Sequence, residues 1–154
     1  MATVNLTAGN AVENSRDSNT FAVTVTVNVL AAQNAKGSTL ATGDVLQLLT
    51  VPTGYAVDFV GINVTTAVTG ASVFTVSLGD GSTTALWTSA HAATATGAGD
   101  ASTAGAVSFN FVAAGGTINA TLGTVTGTPT GGVFTVTATL TRVVPATNSG
   151  TPTF

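Results

Sequence analysis

The amino-acid sequence predicts an all-β protein, an antiparallel two-sheet β-sandwich of jelly-roll-like arrangement, and three observations carry that expectation. The first is strict period-two alternation: Phe21, Val23, Val25, Val27 and Val29 fall on one side of an extended chain, and Ala22, Thr24, Thr26 and Asn28 on the other. The second is punctuation by Gly, Pro and Asn between such runs. The third is the lack of any amphipathic pattern long enough for a helix of ten residues. Leu, Ile, Val and Phe make up about 26% of the 154 residues, above the range of disordered chains, so one packed domain is expected.

Taken in order, residues 1–19 are polar, hold Glu13, Arg16 and Asp17, and read as an N-terminal arm or edge segment. A strand over 21–29 opens the domain, which spans 20–145. Gln33 to Ser38 reads as a turn, and Asp44 to Val51 as a short apolar strand stopped by Pro52. Residues 56–68 and 72–78 read as a hairpin closed at Thr69-Gly70, with Val60, Ile62, Val64, Phe74, Val76 and Leu78 inward. Gly79-Asp80-Gly81 is a tight turn, and residues 82–103 form a long loop with one short strand near Ala85 to Thr88. Alternation returns at 107–113, 117–125 and 133–144, broken by Gly115-Gly116 and by Pro129 with Gly131-Gly132. Residues 146–154 read as an irregular tail. The expected core is Val23, Val25, Val27, Val60, Ile62, Val64, Phe74, Val76, Phe109, Phe111, Phe134, Val136 and Leu140.

Composition narrows the function. Charged residues are 6% of the chain, against about 25% in ordinary globular proteins. The 32 Thr, 10 Ser, 10 Asn and 18 Gly take their place at the surface. With a net charge of −3 and only Arg16, Lys36 and Arg142 as fixed cations, there is no basic stripe for nucleic acid. No run of apolar residues reaches membrane-spanning length, and the first residues lack the pattern of a secretory signal, so no membrane partner is expected. Cysteine is absent, which removes disulfides and thiolate chemistry.

The same scarcity argues against an enzyme. Glu13, Asp17, Asp44, Asp58, Asp80 and Asp100 are spread along the chain; Asp44 and Asp58 flank adjacent strands, but both read as turn caps, as does Asp80. His91 lies near Ser89 and Asp100 without a nucleophile elbow. No cofactor, metal or small-molecule substrate is expected. What remains is assembly, because Thr, Ala and Gly surfaces approach one another without stripping water from ions. Tyr55, Trp87 and His91 are the candidate interface residues, Trp87 as an aromatic anchor in the 82–105 loop.

The stretch Gly43-Asp-Val-Leu-Gln-Leu-Leu-Thr-Val-Pro52, followed by Val57 to Thr66, then Phe74-Thr-Val-Ser-Leu-Gly-Asp-Gly81 and Leu86-Trp87, resembles the small capsid-associated decoration and head proteins of tailed bacteriophages. The resemblance covers residues 40–90, about a third of the chain. It implies a non-enzymatic virion protein that decorates and stabilises the outer capsid surface, with the major capsid protein as partner. Together with lattice symmetry it implies a homo-oligomer, a trimer on threefold positions, with the 2–19 segment reaching the capsid. The alternative is a receptor- or carbohydrate-binding module of a fibre or tail, with a ligand groove near Tyr55, Trp87 or His91.

Overall fold

The computed structural model describes residues 1–5, 20–99, 110–112 and 115–143. In chain order the elements are β1 (Thr3–Asn5), β2 (Thr20–Asn28), α1 (Val29–Lys36), β3 (Val45–Val51), β4 (Tyr55–Gly79), β5 (Thr88–Ala92), β6 (Gly97–Gly99), β7 (Asn110–Val112) and β8 (Gly116–Arg142). The all-β class therefore holds, with one two-turn helix added. Among the described residues, all eight strands belong to one hydrogen-bonded sheet.

Its spine is the antiparallel ladder of β4 with β8, strands of 25 and 27 residues. Tyr55 faces Arg142 at one end of this ladder, and Gly79 faces Asn119 at the other. Along its outer edges, β2 continues the late half of β8 and β3 the early half, while β7, β6 and β5 line β4 in turn. Alternation works as expected on this spine. Val60, Ile62, Val64, Phe74, Val76 and Leu78 of β4 and Ile118, Ala120, Leu122, Phe134, Val136, Ala138 and Leu140 of β8 are all buried in one cluster. Val25 and Val27 join it from β2, and Val23 is half-buried against it. Each large side chain so buried contributes about 1.5–3 kcal/mol. Phe109 lies outside the described residues, as does the side chain of Phe111.

Several expectations about connection are corrected. Thr69-Gly70 does not close a hairpin between 56–68 and 72–78: both stretches are parts of β4, and both pair with β8. Likewise 117–125 and 133–144 do not form separate strands, since β8 runs through Pro129. The reason is a bulged corner. Thr69 pairs with Gly131 and Ala71 with Gly127, so Thr128, Pro129 and Thr130 stand opposite the single Gly70. Gly70 takes φ +77°, and a Cβ there would lie 2.2 Å from the Thr128 carbonyl oxygen. Pro129, which has no N–H to offer a ladder, sits in the bulge and accepts a hydrogen bond at its carbonyl from Gln33 Nε2 at 3.0 Å.

The region read as a turn at 33–38 is largely helical, and Val29 begins α1 rather than ending β2. Asn28 caps the helix by accepting from the Ala31 amide at 3.1 Å, and Gly37, left-handed at φ +76°, ends it by donating to Gln33 and Asn34 carbonyls. Between the caps, Leu, Ala, Gln and Lys favour helix. The pairing is not wholly antiparallel either: β1, within the segment read as an arm, runs parallel to β3, with Thr3 opposite Val45. In the 82–103 loop the strands fall at 88–92 and 97–99 rather than 85–88.

A bulge in β5 leaves Ala90 at φ +48°, a left-handed conformation that favours glycine. Ala90 is exposed, and its amide donates to Ser77 Oγ at 3.0 Å. Ala90→Gly is expected to stabilise the protein by about 0.5–1 kcal/mol. A thermal melt checks this, and a lowered midpoint would refute it.

Candidate assembly surface

The outward face of the β2–β8–β4 half is built in rows across three strands. Ala22, Thr139 and Phe59 make one row, Thr24, Thr137 and Gly61 the next, and Thr26, Thr135 and Asn63 the third. This face follows from the alternation that buries Val25, Val136 and Ile62 on the other side. Thr24 and Thr137 hydroxyls lie 2.8 Å apart, as do those of Thr20 and Thr141. Thr135 donates to the Asn63 carbonyl at 3.4 Å. The hydroxyls are thus partly satisfied among themselves, which lowers what must be stripped of water when another surface covers them.

The three rows carry no charge. Asp58, at their margin, accepts a hydrogen bond from the Thr141 hydroxyl. Phe59 is the aromatic of the plate and is 40% exposed. Sequence reasoning missed it, though its odd number in a strand whose even residues face inward was a usable signal.

The three residues singled out from sequence are placed differently from one another. Trp87 is 2% exposed, and its backbone amide donates to the Leu78 carbonyl at 3.0 Å. Its indole forms part of the wall of a cavity of about 190 Å³ with Val51, Val57, Asp80, Ser82 and Thr117. Tyr55 and His91 do not line this cavity. Tyr55 is half-buried at the start of β4, and its ring meets Phe21 edge to face with centroids 5.5 Å apart. His91 is half-buried on β5 opposite Val76. Trp87 Nε1 and His91 Nε2 are both buried without a hydrogen-bond partner. The three side chains therefore do not meet in this cavity.

The carboxylates of the described residues Asp44, Asp58 and Asp80 are occupied. Asp80 Oδ1 accepts from the amides of Ser82 at 2.9 Å and Thr83 at 2.8 Å, the turn role expected of it. Asp44 is a buried hub that the sequence reading saw only as a turn cap. It does accept from the Ala41 amide at 2.8 Å, but also from the Ala2 amide at 3.0 Å and from Lys36 Nζ at 2.5 Å. Lys36 also donates to the Thr39 carbonyl at 2.7 Å. Burial alone would raise the Asp44 pKa, yet the bonds from Lys36, Ala41 and Ala2 hold it below its ordinary value. Among the described residues no three His, Asp or Glu gather as metal ligands, and no helix is long and apolar enough to cross a membrane.

No protein-family model matches the chain, and no curated protein matches it in sequence. Among solved structures, its fold is similar to that of a chain in the cyanophage Pam1 capsid asymmetric unit, with a TM-score of 0.59 and 16% sequence identity. The likeness covers 86% of this chain and 91% of that one, so the two are close in length as well as fold.

Proposed function

We propose that the protein is a non-enzymatic structural component of a virion, one that decorates and stabilises the outer surface of a tailed-phage capsid. The observation that carries this reading is the shared fold, over nearly the whole of both chains, with a component of a phage capsid asymmetric unit. The match to a chain of similar size favours a small accessory part of a shell.

The surface is consistent with such work. A plate of Thr, Ala, Gly and one Asn with one exposed Phe makes close contact without stripping water from any ion, and an aromatic in a partner's pocket supplies a disproportionate share of the binding energy. In this reading the major capsid protein is the partner, Tyr55 and His91 offer separate half-buried contact points, and buried Trp87 is part of the core rather than of the contact. The protein acts as a homo-oligomer, a trimer on threefold positions, where a closed ring matches the local symmetry of the shell. Electron cryo-microscopy of the particle that carries this chain tests the reading. Density for trimers on the outer shell is the expected result; absence from the particle, or density on a fibre alone, would overturn it.

A further inference from the structure

We infer that the hollow between the 80–84 loop and the outward face of β8 is a binding site for a neutral, polyhydroxylated ligand the size of one sugar ring. The register of the β4–β8 ladder builds it. Asn119 lies between Ile118 and Ala120, both in the core, so its side chain is on the outward face, beside Gly79 of β4 and Gln47 of β3. Yet Asn119 is only 4% exposed. The loop is its cover. A Cβ on Gly79 would meet the Thr83 carbonyl oxygen at 1.8 Å, so the chain folds back over the same face that Asn119 occupies, and the Asp80 turn holds it there. Gly81 comes so close that a Cβ on it would lie 3.0 Å from Asn119 Nδ2 and 3.9 Å from Thr117 Oγ1.

Under this cover Asn119 Oδ1 is buried without a hydrogen-bond partner. A stranded acceptor is costly to a fold, and it marks a group that something else completes. Asn119 forms part of the wall of a cavity of about 300 Å³ with Thr3, Gln47, Thr84, Thr117 and Thr121, a volume at the lower limit of small-ligand sites. None of the lining side chains is charged. A cation would find no carboxylate there and an anion no cationic side chain, so either would give up its water without replacement. Hydroxyls and carboxamides instead both donate and accept. A sugar hydroxyl can donate to Asn119 Oδ1 while accepting from a neighbouring Thr or from the Gln47 amide. The site shares only Thr117 with the cavity at Trp87, and neither Tyr55 nor His91 lines it.

Saturation-transfer NMR and calorimetry on the purified full chain test the site with glucose, galactose, mannose and N-acetylglucosamine, each free and as the methyl glycoside, and with glucuronate. Saturable binding of at least one neutral sugar is expected, with a Kd of about 1 mM, and glucuronate should bind more weakly. Preference for a glycoside would assign the ring to the end of a glycan chain, preference for the free sugar to a soluble ligand; either supports the site. Asn119→Leu keeps the size but not the acceptor, so it should weaken binding about tenfold without lowering the urea midpoint. If the midpoint does fall, half-buried Thr121→Val decides: it must weaken binding at an unchanged midpoint, or the inference fails. The inference is also overturned if no sugar saturates at tens of millimolar, which would leave the hollow to water only, if Asn119→Leu leaves binding unchanged, or if glucuronate binds as tightly as the best neutral sugar. Sugar binding is read in purified protein and the capsid role on particles, so each can fail without the other.

Discussion

Asp44→Ala is expected to cost about 3–5 kcal/mol, a large part of the stability of an ordinary domain. The side chain of Asp44 is 3% exposed and that of Lys36 12%, so removing the carboxylate leaves an ammonium largely out of water with only the Thr39 carbonyl beside it. It also strands the amides of Ala2 and Ala41, one on the chain that leads into β1 and the other on the turn into β3. Asp44→Asn keeps the shape but not the charge and should fall in the same direction. Urea unfolding at neutral pH measures both. An unchanged midpoint would mean that the hub is not part of what holds the fold.

The same hub sets a pH dependence whose sign follows from the lowered pKa. The folded protein holds Asp44 ionised at pH values where the unfolded chain would protonate it, so the unfolded state binds more protons in that interval. The stabilisation is full above the ordinary carboxyl value of 3.8 and is lost as pH falls through the lower, folded one. In Asp44→Asn, this part of the acid slope should disappear; an identical slope in both proteins would assign the acid sensitivity elsewhere.

Gly79→Ala is the second large effect, expected to cost about 3 kcal/mol through forced overpacking. A Cβ at this position would sit 1.8 Å from the Thr83 carbonyl oxygen and 2.8 Å from the carbonyl carbons of Thr83 and Thr84. All of these are backbone atoms that no rotamer change can move. The loop they belong to is tied by Asp80 to the Ser82 and Thr83 amides, and it delivers Trp87 into the core. As the protein has a single Trp, its fluorescence reports on that delivery. The variant should show a lower urea midpoint and red-shifted native emission; wild-type values for both would show that the loop yields freely.

The faces of strands were legible in the sequence, but not their continuity. Alternation assigned Val25, Val27, Val60, Ile62, Val64, Phe74, Val76, Phe134, Val136 and Leu140 to the core because burial of one face leaves a local, period-two record. Whether Gly70 or Pro129 reverses the chain or only bulges it depends on the partner strand, and that partner lies far away in sequence. The helix was hidden for a related reason: Asn28 is at once the last outward residue of β2 and the cap of α1. At the surface, the shortage of charge pointed to assembly. The Lys36–Asp44 pair depends on tertiary placement, whereas the outward turn of Phe59 was readable from its odd number in the strand.

The β4–β8 ladder also bears on the order in which the chain folds. Its partners at the Gly79–Asn119 end are 40 residues apart, and those at the Tyr55–Arg142 end are 87 apart. Closing the smaller loop first is favoured by about 0.7 kcal/mol of chain entropy, roughly threefold in probability. That end also holds Leu78, Ile118, Ala120 and Leu122, which supply apolar contacts as soon as the loop closes. Once it is closed, each further pair extends an existing ladder, and zipping proceeds through the corner toward Arg142. β2 has its register only when residues 133–141 are in place, so it joins late. Until then the late half of β8 has β4 on one side and a vacant edge on the other, and a β2 from a neighbouring copy fits that edge as well as its own, making strand exchange the characteristic misfolding risk of this topology.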